Sequence, residues 1–203
     1  YGNPFTTTRF MWVRWCDLKP YRTKEEIMMP PKFYTNEKLH ISYSQRNLSG
    51  LLLAYYSSGI DDNVDYQRGN VWSEDDKVRL IDSIFKNIDI GKFVIIRRVF
   101  REGEKSYEIL DGKQRMNALL DFYEGRFKYN GLTYHELHGR DQAHFKEYMI
   151  NWGEISEVND REIPAKYKYE YFLKLNTFGH VVSKDHLEFV QKLYEESICT
   201  KTL

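Results

Sequence analysis

Apolar positions along the chain switch between two periods, and the clearest switch falls in residues 107–123, YEILDGKQRMNALLDFY. Tyr107, Ile109 and Leu110 close an extended apolar run, Asp111-Gly112 interrupts it, and Met116, Leu119, Leu120 and Tyr123 recur at helical spacing. The stretch predicts a strand, a tight turn and a helix. Upstream, Lys92 to Phe100 carries Val94, Ile95, Ile96 and Val99, and a REGEK turn separates it from Ser106 to Leu110. These two runs are expected as adjacent antiparallel strands, which makes the second one deliver Asp111 and Gly112 at its carboxyl edge.

Elsewhere helical spacing dominates. Ser44 to Ser58 shows Leu48, Leu51, Leu52, Tyr55 and Tyr56 on one face, with Ser44 or Asn47 as the cap and Gly59 as the stop. Ser73, with Asp76 three residues on, caps a helix whose buried face is Val78, Ile81, Ile84, Phe85 and Ile88 and which Gly91 ends. Phe145, Tyr148, Met149 and Trp152 read as a further helix face, and Asn130-Gly131 as the turn of a short hairpin. The YKYEYFLKLN run alternates before turning helix-like, so its type stays open, with Phe172 and Leu175 expected inside. Ser183 or Asp185 starts a last helix carrying Leu187, Val190 and Leu193. Residues 1–42, with Trp12, Trp15 and Pro30-Pro31, read as an irregular arm packed on the domain formed by residues 43–203. The fold class expected is mixed α/β (α+β), a single domain with peripheral helices.

Composition narrows the partners. At 203 residues the chain can bury one sizeable core, and its 30 basic and 30 acidic side chains cancel, so no global field draws it to nucleic acid or to an anionic membrane. Contact with DNA has to come from a local patch. Cys16 and Cys199 are far apart, which disfavours a disulfide framework or a thiolate zinc site and suits the cytoplasm. No run approaches the roughly 18 apolar residues of a membrane span. His135-Glu136-Leu137-His138 is one residue too short for the zinc-protease spacing.

Candidate chemistry gathers at the Asp111-Gly112 break. Gly112 allows a positive φ or a close backbone approach, and Lys113, Gln114 and Arg115 fall in the first helical turn, where unpaired N–H groups favour an anion. The spacing is not that of a Walker A loop. Asp111 has three open roles: capping the helix, contributing to a Mg2+ shell on a nucleotide, or holding Arg115. Arg68 is either a bidentate phosphate clamp or a salt-bridge partner of Asp65, Asp75 or Asp111. Tyr66 either packs under a base or anchors the core, and Trp72, just before the Ser73 cap, reads as a structural staple.

Three ordered segments add a resemblance. ILDGKQRMNAL resembles the DGQQR-type signature of the ParB/sulfiredoxin-like domain at the N-terminus of GmrSD-type restriction enzymes. DYQRGNVWSEDDKVRLIDSIFKNIDIG, residues 65–91, resembles the family's Tyr-Gln-Arg segment and the helix after it, and FLKLNTFGHVVS, residues 172–183, resembles a later Phe-x-x-x-Asn-x-x-Gly segment. The resemblance implies a domain that binds a nucleoside triphosphate, sometimes hydrolyses it, and serves phage defence or DNA partitioning. It implies nucleotide contacts from Gln67, Arg68, Gly112, Lys113, Arg115 and Asn176, catalytic work by Asp111, Gln114 and Arg68, and Mg2+ held with help from Asp111. Lys113 stands where the family more often has a first Gln, which adds charge and removes an acceptor. The partners it implies are the nucleotide and either DNA or a nuclease or regulatory protein. A non-catalytic DNA-binding or regulatory module, and a structural or interaction protein that keeps the fold, remain the alternative readings.

Overall fold

The computed structural model describes residues 41–67, 69, 72–99, 101–156, 162–177 and 184–199. Five strands form one sheet in the order β1-β5-β3-β4-β2, with β1 Ser42–Asn47, β2 Ile60–Asp61, β3 Lys92–Arg97, β4 Tyr107–Asp111 and β5 Met149–Ser156. β3 runs antiparallel to β4 and parallel to β5, and β1 is antiparallel to β5. The expected antiparallel pair is therefore present, with Ile95 opposite Ile109 and Arg97 opposite Tyr107.

Helices cover both faces, which is why the central strands are apolar on both sides. On one face α1 (Leu48–Leu53), α2 (Glu74–Phe85), α3 (Lys113–Tyr123) and α4 (Gly139–Glu147) bury Leu51, Ile81, Ile84, Met116, Leu119 and Phe145 against Phe93, Ile95, Ile109 and Trp152. On the other, α5 (Ala165–Thr177) and α6 (Lys184–Cys199) bury Tyr169, Phe172 and Val190 against Val94, Ile96, Leu110 and Ile155. The architecture is mixed α/β with peripheral helices, as expected. Of the arm anticipated over residues 1–42, residues 1–40 lie outside the described residues, and Ser42 already opens β1.

Several local expectations are corrected. Ser44 lies in β1, and Asn47 caps α1 by accepting from the Gly50 amide; α1 then widens into a π turn over Ala54–Ser58 that ends at Gly59, φ 73°. The Ser73 and Asp76 capping box is present, but α2 stops at Phe85, and Ile88 is 53% exposed in the loop beyond. The hairpin expected around Asn130-Gly131 shrinks to one bridge, Tyr129 to Leu132, across a turn with both residues at positive φ. The largest miss is Met149 and Trp152, read as helical: they belong to β5, the strand between β1 and β3. Ile150 and Trp152 alternate into one core and Ile155 into the other, and Tyr148 to Trp152 happens to mimic a helical interval. The undecided YKYEYFLKLN run is α5.

Candidate functional site

The β4–α3 junction turns on Gly112, which sits at φ 99° and serves as the α3 N-cap without a side-chain cap. A Cβ at this position would lie 2.8 Å from Phe93 Cδ1, so glycine is needed for its conformation and for space. The first α3 backbone bond runs from Met116 N to Gly112 O, 2.8 Å, which leaves the amides of residues 113–115 ahead of the helical ladder. Asp111 therefore does not cap the helix. Its carboxylate pairs instead with Arg115 Nη2 at 3.4 Å.

Arg115 is not a free clamp. Its Nη1 donates to the Ile90 carbonyl at 2.8 Å, its guanidinium carbon lies 5.1 Å from the Phe93 ring centre, and its side chain is only 19% exposed. A Cβ on Gly91 would stand 2.3 Å from that Nη1. Lys113 donates to the Asp62 carbonyl at 2.6 Å and so fastens α3 to the segment after β2. Both basic residues of the turn thus close loops at this end of the sheet.

The two glutamines bring the separated motifs together. Gln67 Nε2 donates to the carbonyls of Ile109 and Leu110, at 3.2 and 3.0 Å, and Gln114 Nε2 donates to the Gly69 carbonyl at 2.8 Å. The backbone on either side of Arg68 is thereby held against the end of β4 and the start of α3. Arg68 itself lies outside the described residues. Asn176, a nucleotide contact that the resemblance implies, is in α5, where its Nδ2 donates to Phe172 O at 2.7 Å; Gly179 of the same segment lies outside the described residues.

Beneath this loop lies a buried polar cluster that sequence reasoning missed. Glu108, 1% exposed in the middle of β4, accepts from Tyr66 Oη, from Lys168 Nζ at 2.8 Å and from Arg98 Nη2 at 2.6 Å. Arg98 also reaches Asp61 at 3.1 Å, and Lys168 reaches Glu162 at 3.5 Å. Burial alone would raise the Glu108 carboxyl, but the hydrogen bonds from Lys168 and Tyr66 and the Lys168 charge outweigh it and hold the group below its ordinary value. Burial and the Glu108 charge push the Tyr66 phenol well above its ordinary value, so it stays a donor. Tyr66 is therefore the core anchor of its segment. Its carbonyl meets His186 Nε2 at 2.9 Å, and Tyr169, pushed up to about 12 by burial and by its bond to Asp65, holds the preceding residue. The one signal in the sequence was a glutamate inside an apolar strand, YEILD, which demands buried partners.

Trp72 packs partly buried against the larger core, a structural position. Among the described residues no three His, Cys, Asp or Glu side chains cluster in a way that could hold a metal ion. Asp111 alone does not make a Mg2+ site; most of such a shell would come from phosphate oxygens and water. No described helix is long and apolar enough to cross a membrane.

No curated protein matches the chain. Among solved structures, a Pnob8-like ParB-N domain is similar at 14% identity and a TM-score of 0.42, over 80% of this chain and 48% of that one, so the chain covers about half of that relative's length. A family model described as the GmrSD restriction endonuclease N-terminal domain matches residues 52–200, a span that includes both glutamine-linked motifs, and the chain belongs to that family.

Proposed function

We propose that this chain binds a nucleoside triphosphate, its phosphates resting on the first turn of α3 and facing the loop that carries Arg68. The observation that supports this most directly is the mutual fastening of Gln67 to Leu110 and of Gln114 to Gly69, which joins two basic segments some 45 residues apart in sequence at one helix N-terminus. Backbone N–H groups and the helix dipole favour an anion there, and a guanidinium from the facing loop adds directed contacts. Lys113 and Arg115 already donate to the carbonyls of Asp62 and Ile90, so a phosphate would be met by their remaining donors or after those bonds are released. Asp111 would help hold a Mg2+ ion brought by the phosphates, and that ion would supply charge neutralisation there. Any hydrolysis needs a water positioned by Gln114 or Asp111, since phosphoryl transfer depends on positioning and charge stabilisation. The output is nucleic-acid processing in defence or anti-defence, through DNA or a nuclease partner.

Calorimetric titration with the four ribonucleoside triphosphates, with and without Mg2+, followed by phosphate-release measurements, tests this reading. Binding with turnover supports a triphosphatase, and binding without turnover a nucleotide sensor. A second reading, a structural or interaction module that keeps the fold, is favoured by the engagement of Lys113 and Arg115 with backbone carbonyls. Absence of nucleotide binding under every Mg2+ condition selects it, unless salt-sensitive DNA binding reveals a non-catalytic DNA module instead.

A further inference from the structure

We infer that a cleft beside Gly91 takes the nucleobase of the nucleotide, an assignment that rests on the triphosphate reading above. The cleft is open to solvent, with a volume of about 770 Å³, and Tyr43, Gln45, Asp89, Gly91, Lys92 and Asn151 line it. That size suits a small ligand. The strand register sets Gln45 opposite Asn151 and Asn151 opposite Lys92, so three polar residues stand in a row across β1, β5 and β3. Strand alternation puts Lys92 and Asn151 on the face that α5 and α6 cover, because Val94, Ile96 and Ile155 belong to that core.

The chemistry of the row fits a flat heterocycle. Gln45 and Asn151 both carry side-chain amides and both line the cleft. Each amide offers a donor and an acceptor in one plane, the combination that reads the edge of a base. Tyr43 is 56% exposed, with the Lys92 ammonium 5.8 Å from its ring centre, and supplies an aromatic face for stacking. The Asp89 carboxylate, which accepts from the Gly91 amide at 2.9 Å, argues against a second phosphate here. The cleft also lies at the right end of the sheet. β3 begins at Lys92 beside the end of β4, and Gly91, which lines the cleft, backs directly onto Arg115 of α3. β3 alone stands between β5 and β4, so two strand spacings of about 4.8 Å separate those two strands.

The test separates base from phosphate. Tripolyphosphate and the four ribonucleoside triphosphates are titrated calorimetrically into wild type, Asn151→Leu and Gln45→Leu, with thermal melts as folding controls. The expected result is a preference of about tenfold or more for one base in wild type, reduced below about threefold in each variant, with tripolyphosphate affinity unchanged. Asn151→Asp, nearly isosteric, carries the same test where Asn151→Leu does not fold: replacing the donor should alter which base is preferred. Equal binding of all four triphosphates by wild type, or an unchanged preference in folded variants, overturns the cleft assignment and leaves the phosphate reading standing. Failure of wild type to bind either tripolyphosphate or any triphosphate overturns both.

Discussion

Gln114 donates its side-chain amide to the carbonyl of Gly69 at 2.8 Å, and this bond ties the first turn of α3 to the loop that follows Gln67. Together with the bonds from Gln67 to β4 it makes the two motifs one structural unit. Gln114→Leu is expected to release the loop while leaving α3 folded. A neutral hydrogen bond of this type contributes about 0.5–1.5 kcal/mol, so urea denaturation should show a small loss of stability. Hydrogen exchange should show a larger, local loss of protection around Gly69.

Gly91 and Arg115 are expected to be coupled. Gly91→Ala forces a Cβ to within 2.3 Å of Arg115 Nη1 and puts a non-glycine residue at φ 83°. The strained backbone costs about 1–3 kcal/mol, and displacement of the guanidinium leaves the Ile90 carbonyl without its donor. In a double-mutant cycle measured by chemical denaturation, Arg115→Ala should cost less in the Gly91→Ala background than in wild type. Strict additivity would show that the guanidinium does not hold this position in solution.

Met116 and Leu119 are fully buried between α3 and the sheet. Truncation of either to Ala should cost about 2–5 kcal/mol if the space does not collapse. A value near zero for both, by the same denaturation measurement, would mean that α3 is not packed on β3 and β4.

Glu108 contributes to the acid limb of stability, alongside the lowered carboxyls of Asp61 and Asp121. Its folded pKa is depressed, so its contribution is fully present above the ordinary value of 4.5 and is lost as pH falls through the folded value. Tyr66 has the opposite sign: its raised pKa contributes below the ordinary 10.0, and that contribution fades as pH rises beyond it. Glu108→Gln should therefore flatten the decline in melting temperature below pH 4.5. At neutral pH it should cost about 3–5 kcal/mol, because Lys168, whose side chain is 9% exposed, loses its nearest countercharge. Partial recovery in Glu108→Gln/Lys168→Met would show that the unpaired cation carries much of that cost.

Local chemistry was legible in the sequence wherever neighbours along the chain decide the conformation. The β4–Gly112–α3 passage, the capping box of Ser73 with Asp76, the inward faces of α2 and α3 and the antiparallel β3–β4 pair all follow from periodicity and from turn residues a few positions apart. The order and resemblance of the motifs also marked the family from sequence alone. Tertiary structure decided the rest. β5 became an inner strand because it buries Trp152 in one core and Ile155 in the other, where sheet pairing outweighs an apparent helical interval. Of the roles open to Asp111 the structure makes the pairing with Arg115 rather than the cap, and Arg115 turned inward because Ile90 and Phe93, more than twenty residues upstream, present a carbonyl and a ring at that spot. Glu108 is tolerated in the core only because Tyr66, Arg98 and Lys168 converge on it from three separate elements. Such convergence is set by packing, which brings distant charges within hydrogen-bond reach, and no local pattern encodes it.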